Sequence, residues 1–129
     1  MSVLVLVVDD EPDMRELFLQ QFRKDLRAKR FMMEFALSGA EAIAKIKEAR
    51  HLDLILILSD VNMPNMTGLE LLPRIKQMRP EVPVVMITAY SGDDMRRQAA
   101  EAGAAGLLPK PIDFGQLRHE IDVRLETRL

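Results

Sequence analysis

The strongest constraint on this chain of 129 residues is a rhythm. Five apolar runs of strand length, Val3–Val8, Phe31–Leu37, Leu54–Leu58, Val82–Ile87 and Ala105–Leu108, alternate with five segments of helical spacing. Three of the runs are almost continuously apolar and rich in Val, Ile and Leu, which suits strands covered on both faces of a parallel sheet. The Phe31 run contains Glu34 and reads as nearer an edge. The first helical stripe is Met14, Leu17, Phe18, Phe22 and Leu26, a period of 3.6 residues. Ala40, Ile43, Ala44, Ile46 and Lys47 mark a second, and Leu69, Leu72, Ile75 and Met78 a third. Met95, Ala99 and Ala102 give a fourth, and Phe114, Leu117, Ile121 and Leu125 a fifth.

A strand followed by a helix, five times over, implies right-handed crossovers and an α/β sandwich. The expected fold is a five-stranded parallel sheet, doubly wound and flavodoxin-like, (βα)5, with strand order 2-1-3-4-5. The length fits one domain over residues 1–129. With no cysteine, a disulfide scaffold, a zinc ribbon and a thiol nucleophile are excluded, and two isolated histidines argue against a multi-His metal site. A net charge of -2 argues against a domain built to neutralise nucleic-acid phosphates. The Val3–Val8 run ends at Asp9-Asp10, too soon for a signal peptide or a membrane span, so a reducing, cytoplasmic setting is expected.

In such sheets ligands bind beyond the carboxyl ends of the strands. After the first run come Asp9, Asp10 and Glu11; after the third, Ser59 and Asp60; after the fourth, Thr88 and Ala89; after the fifth, Pro109, Lys110 and Pro111. Each has an ordinary explanation alone, as a helix cap, a turn, a strand end or a loop lysine. Together they place Asp9, Asp10 and Asp60 on neighbouring strands. Two carboxylates about 4 Å apart repel by roughly 4 kcal/mol at an effective dielectric near 20, so the cluster calls for a cation or a raised pKa. Hard oxygen donors favour Mg²⁺. Carboxylate, Mg²⁺, lysine and hydroxyl form a site suited to phosphoryl transfer, with one carboxylate as nucleophile.

Four segments carry a family resemblance: VLVVDDEPDMREL at Val5–Leu17, LSDVNMPNMTGLELL at Leu58–Leu72, VVMITAY at Val84–Tyr90 and LLPKPID at Leu107–Asp113. The chain resembles the receiver domain of bacterial two-component response regulators over essentially its whole length. The resemblance implies that Asp60 accepts a phosphoryl group, that Asp10 binds Mg²⁺ directly, that Asp9 acts largely through water, and that the backbone carbonyl of Asn62 completes the coordination. It implies that Lys110 pairs with a phosphoryl oxygen, that the Lys110–Pro111 bond is cis, and that Thr88 and the backbone N–H of Ala89 hold the phosphoryl group. Thr88 and Tyr90 would form the switch, and Gly68 the small residue opening the third helix. Such a domain is no conventional enzyme, but catalyses its own aspartate phosphorylation and dephosphorylation.

The implied partners are a sensor histidine kinase or phosphotransfer protein upstream and an output domain or protein downstream. The moving surface would be the fourth helix, fifth strand and fifth helix, which also offers a homodimer contact. No nucleic-acid or membrane contact is expected. Neither His51 nor His119 follows a strand, so the donor histidine is expected on another chain. Rival readings are a phosphorylation-independent pseudo-receiver, a Mg²⁺-dependent phosphohydrolase with Asp-x-Asp spacing after its first strand, and a flavodoxin-type cofactor module. The acids of Asp9-Asp10-Glu11 would repel the phosphate of the last. The stretch from Arg23 to Phe31 is longer than the family pattern and carries a basic run, Arg23, Lys24, Arg27, Lys29 and Arg30, opposed only by Asp25. The run reads either as cations at a helix C-terminus or as an anion- or partner-binding patch. The final helical pattern reaches Leu129 with no closing Gly or Pro, so the helix frays or the chain continues.

Overall fold

The computed structural model describes residues 3–127. Five strands, β1 (Val3–Val8), β2 (Met32–Ala36), β3 (Asp53–Asp60), β4 (Val84–Thr88) and β5 (Gly106–Pro109), form one sheet. All pair in parallel, in the order β2-β1-β3-β4-β5, as the alternating pattern requires. Among the described residues six helices flank them: α1 (Asp13–Gln21), α2 (Arg23–Arg27), α3 (Gly39–Glu48), α4 (Gly68–Met78), α5 (Asp93–Glu101) and, after β5, α6 (Phe114–Thr127). Arg128 and Leu129, at the end of the expected last helix, lie outside the described residues.

Successive side chains of a strand point to opposite faces, so each inner strand feeds two cores. Leu4, Leu6 and Val8 pack with Ile46 of α3 and Leu71, Leu72 and Ile75 of α4. Val3, Val5 and Val7 pack with Phe18, Phe22, Leu117 and Ile121 on the α1 and α6 side. The continuous apolar runs are explained by this double burial. β2 lies at the sheet edge with Met32 exposed, in keeping with its Glu34.

The helices differ from expectation in two places. The first stripe does not form one helix. It breaks at Phe22, whose φ of −106° and ψ of 17° close α1 and open α2. Hydrogen bonding steps across the break, from Phe22 N–H to the Phe18 carbonyl and from Leu26 N–H to the Phe22 carbonyl, each at 3.0 Å. The break lets Phe22 bury fully, with its ring 6.2 Å from Phe18 and 6.0 Å from Phe31. The apolar period is preserved while the axis changes. In α3 the buried residues are Gly39, Ala42 and Ile46, with Lys47 and both Ala40 and Ala44 exposed. Interchangeable small alanines had blurred the true stripe.

α2 ends with Lys29 N–H donating to the Leu26 carbonyl and Arg30 N–H to that of Asp25, each at 3.1 Å, a Schellman closure. Lys29 takes φ 58°, where glycine is the usual residue. Left-handed backbone costs a non-glycine roughly 1–2 kcal/mol, and glycine costs roughly 0.5–1 kcal/mol in chain entropy. Lys29→Gly is therefore expected to stabilise the fold by about 0.5 kcal/mol, read by urea denaturation; a loss of stability would show that the lysine stem makes a compensating contact.

Candidate functional site

Asp60 and Thr88 are the last residues of β3 and β4, and Lys110 directly follows β5. β3 and β4 run one or two residues further than their apolar runs suggested, so the polar residues are carried by the strands themselves. Pairing aligns Asp60 with Ile87 and Thr88 with Pro109. Lys110 N–H donates to the Thr88 carbonyl at 2.9 Å, and Asp9 N–H to the Ala36 carbonyl at 3.0 Å. These backbone bonds bring residues far apart in sequence to one edge.

Asp9, Asp10 and Asp60 each offer a carboxylate oxygen, and the three atoms lie within 4.8 Å of one another. Asp9 is 6% exposed and Asp60 3%, so two of the three charges are buried. Each buried carboxylate divides its oxygens. Asp9 Oδ1 accepts from the N–H of Glu11 at 2.9 Å, and Asp60 Oδ1 from the N–H of Asn62 at 3.3 Å. Their Oδ2 atoms face Lys110 Nζ, at 3.7 Å for Asp9 and 3.1 Å for Asp60.

One lysine does not neutralise three acids. Burial pushes the Asp9 carboxyl above its ordinary range; the Glu11 N–H opposes this, while the charge of Asp60 adds to it. For Lys110, partial burial works against the ammonium. The hydrogen bond to Asp60 and the charges of Asp9, Asp60 and Glu11 outweigh it, so the net direction is upward. The donor set fits a small hard cation: three carboxylate oxygens close together, with residual negative charge and an ammonium alongside.

Thr88 is fully buried, and its Oγ1 accepts from Tyr90 N–H at 3.0 Å. The hydroxyl hydrogen has no acceptor among the described residues and is free to donate. Ala89 is exposed, and Tyr90 is 71% exposed. Asn62 lies on the exposed loop after β3. The Lys110–Pro111 peptide bond is cis. Every residue singled out for phosphoryl transfer is thus at or beside one edge, whereas His51 and His119 are exposed elsewhere.

Three hydrogen bonds at this edge are not legible in the sequence pattern. The N–H groups of Glu11 and Asn62 each serve the aspartate two residues before them; an Asp whose second successor is not proline is the signal for such a bond. Ser59, fully buried, donates its hydroxyl to the Asp60 carbonyl at 3.1 Å.

Gly68 has a geometric task. It opens α4 behind a capping box in which Thr67 Oγ1 accepts from Glu70 N–H and the Glu70 carboxylate accepts from Thr67 N–H. Gly68 N–H donates to the Val61 carbonyl at 2.8 Å. A Cβ here would stand 2.3 Å from the Asp60 carbonyl oxygen and 2.5 Å from Met86 Cε. The methyl of methionine can move, but the strand carbonyl cannot. Gly68→Ala is expected to destabilise the protein by about 2 kcal/mol, within the usual range for overpacking. Unchanged urea denaturation would show that the β3–α4 junction has slack.

Comparisons with known proteins bear on this edge. The model of the response regulator receiver domain family matches residues 5–122. Response regulator protein PilR of Pseudomonas aeruginosa is 39% identical over 130 residues, covering 95% of this chain and 26% of PilR. Transcriptional regulatory protein ZraR of Klebsiella oxytoca is 36% identical over 129 residues, covering 99% of this chain and 28% of ZraR. The chain therefore spans about a quarter of the length of these curated relatives, 26% and 28%. A solved structure of the chemotaxis protein CheY4 of Vibrio cholerae superposes with a TM-score of 0.82 at 29% identity, covering 95% of this chain and 98% of CheY4.

Proposed function

The chain belongs to the response regulator receiver domain family, and from that premise we propose that Asp60 is its phosphoacceptor, taking a phosphoryl group from a phosphohistidine on a partner kinase or phosphotransfer protein. The observation that carries the reading is the environment of Asp60. It is a buried carboxylate at a strand end, with a lysine ammonium at 3.1 Å and two further carboxylates close by.

The chemistry follows from these groups. A carboxylate oxygen of Asp60 attacks phosphorus, the bond to the donor nitrogen breaks, and Asp60 becomes an acyl phosphate. Asp9, Asp10 and Asp60, with the backbone carbonyl of Asn62, would hold Mg²⁺, which supplies neutralisation of the charge on the phosphoryl oxygens. Lys110 pairs with one phosphoryl oxygen; Thr88, its hydroxyl hydrogen free, donates to another, assisted by the N–H of Ala89. Drawing Thr88 toward the phosphoryl group strains its bond from Tyr90 N–H. The exposed ring then turns inward, and the α5, β5 and α6 surface shifts toward the form that an output domain or partner reads, the population shift being of the order of a few kcal/mol.

The donor protein has somewhere to rest. A cleft of about 210 Å³ beside Lys110 is lined by Met14, Leu17, Ile112 and Phe114, an apolar platform with Glu11 at its rim. Both histidines of this chain stand away from the site, in keeping with a donor on another molecule. Among the described residues, no helix is long and apolar enough to cross a membrane.

Incubation with a small amido or acyl phosphate and Mg²⁺ tests the reading. One phosphoryl group per chain is expected by intact mass, dependent on Mg²⁺ and lost by hydrolysis. Multiple-turnover hydrolysis of varied phosphomonoesters, without a phosphorylated chain, would instead make the site that of a phosphohydrolase.

A further inference from the structure

Five cations, Arg23, Lys24, Arg27, Lys29 and Arg30, occupy α2 and the turn after it, with Asp25 as the only acid. Complementing the negative end of a long first helix would be reason enough for them. The break at Phe22 removes that reason for Arg23. Arg23 now opens α2, at the end where the backbone dipole disfavours a cation, whereas Lys24 and Arg27 lie in its last turn. The last carbonyl of α1 is served from α6 instead: Arg118 Nη2 donates to the Gln21 carbonyl at 2.8 Å, with its guanidinium 5.0 Å over the Phe22 ring.

Asp25 does not balance the run. Its side chain is 12% exposed, pairs with Arg30, and lies 3.5 Å from Arg118 Nε. Arg30 also bonds Asp122 of α6 at 2.9 Å. The acid is thus spent in a network that fastens α2 to α6. Arg23, Lys24, Arg27 and Lys29 remain exposed, with no ion-pair partner among the described residues. Lys29 keeps a left-handed backbone that glycine would hold with less strain. β2 starts at Met32, opposite Leu4 near the start of β1, so this knuckle lies at the sheet edge remote from Asp9, Asp60 and Lys110.

We infer that the knuckle is a docking surface for an acidic helical segment of a partner protein. Arg23 and Arg27 stand one helical turn apart, with Lys24 on the same side, a spacing of about 5–6 Å that acids at i and i+4 of another helix reproduce. Phe22 and Phe31 are buried and Leu26 is half-buried, which leaves no ring for bases to stack on and no apolar face for lipid. α2 is five residues long, matched by the carboxylates of one or two helical turns. A duplex-binding module needs a larger footprint, and a net charge of -2 opposes a long polyanion.

The test uses the protein and a fluorescent helical peptide of glutamate pairs at i and i+4, followed by anisotropy at low and high salt. Binding that weakens with salt is expected. Arg23→Glu/Arg27→Glu should weaken it by about tenfold or more, whereas the charge-matched Lys47→Glu/Arg74→Glu on exposed α3 and α4 positions should change it less than about twofold. Lys24→Gln/Lys29→Gln, a milder change, should move affinity in the same direction, with amide shifts of the parent confined to residues 23–30. The inference is overturned if the parent fails to bind the peptide, or if the two charge reversals act alike. Tighter binding of a short DNA duplex than of the peptide overturns it too, and makes the patch a phosphate reader.

Discussion

Asp10→Asn is expected to raise the stability of the metal-free protein at pH 7 by about 1–2 kcal/mol and to remove most of its Mg²⁺ affinity. Asp10, Asp9 and Asp60 hold carboxylate oxygens within 4.8 Å of one another. At that separation and an effective dielectric near 20, each pair repels by about 3–4 kcal/mol. Lys110 offsets part of this for Asp60 and Asp9, the two acids it faces. Removing the third charge relieves what the lysine leaves. With saturating Mg²⁺ the order reverses, because a ligand that binds only the folded state adds stability in proportion to RT ln(1 + [L]/Kd). Urea denaturation with Mg²⁺ and with a chelator measures both arms. A variant less stable than the parent in chelator would mean that Asp10 holds the fold together and that the acids do not repel.

Lys110→Met is expected to act in the opposite sense, costing about 2 kcal/mol of metal-free stability at pH 7. Breaking a fully buried ion pair typically costs about 3–5 kcal/mol, and the lysine side chain here keeps 24% of its exposure, which screens part of the loss. The pH dependence identifies the cause. Asp9 has a folded pKa raised chiefly by burial, so the unfolded chain ionises first. Metal-free stability therefore falls as pH climbs from the ordinary carboxylate range through the folded value of Asp9. Without Lys110 that fall should steepen. Lys110 itself is raised on balance: burial lowers it, and the bond to Asp60 and the neighbouring acids more than compensate. Its contribution is present below the ordinary lysine range and is lost as pH rises through the folded value, so the alkaline fall should disappear in the variant. A deficit equal at acidic and neutral pH would assign the loss to packing of the lysine stem.

The fold and the gathering of the candidate residues at one edge were legible because they depend on period and position. Runs such as Val3–Val8 need burial on both faces, and only a parallel sheet under two helical layers provides it. Once the strand order is known, Asp9, Asp60, Thr88 and Lys110 fall to one edge without further choice. The break at Phe22 was not legible, since a buried aromatic keeps the same apolar period in one helix or two. Nor was the division of carboxylate oxygens between backbone N–H groups and Lys110, which depends on turn geometry. The basic run was visible as charge alone. That Asp25 turns inward to Arg30 and Arg118 depends on α6, whose Asp122 is 92 residues from Arg30 in the chain.

Asp60, and not its acidic neighbours, is the residue we propose to carry the phosphoryl group. After incubation with an amido phosphate and Mg²⁺, borohydride reduction converts an acyl phosphate to an alcohol, and peptide mass mapping locates the reduced residue. Reduction is expected at residue 60, and none in Asp60→Asn. Reduction at Asp9 or Asp10, or a stable phosphate on Ser59 or Thr88, would contradict this assignment.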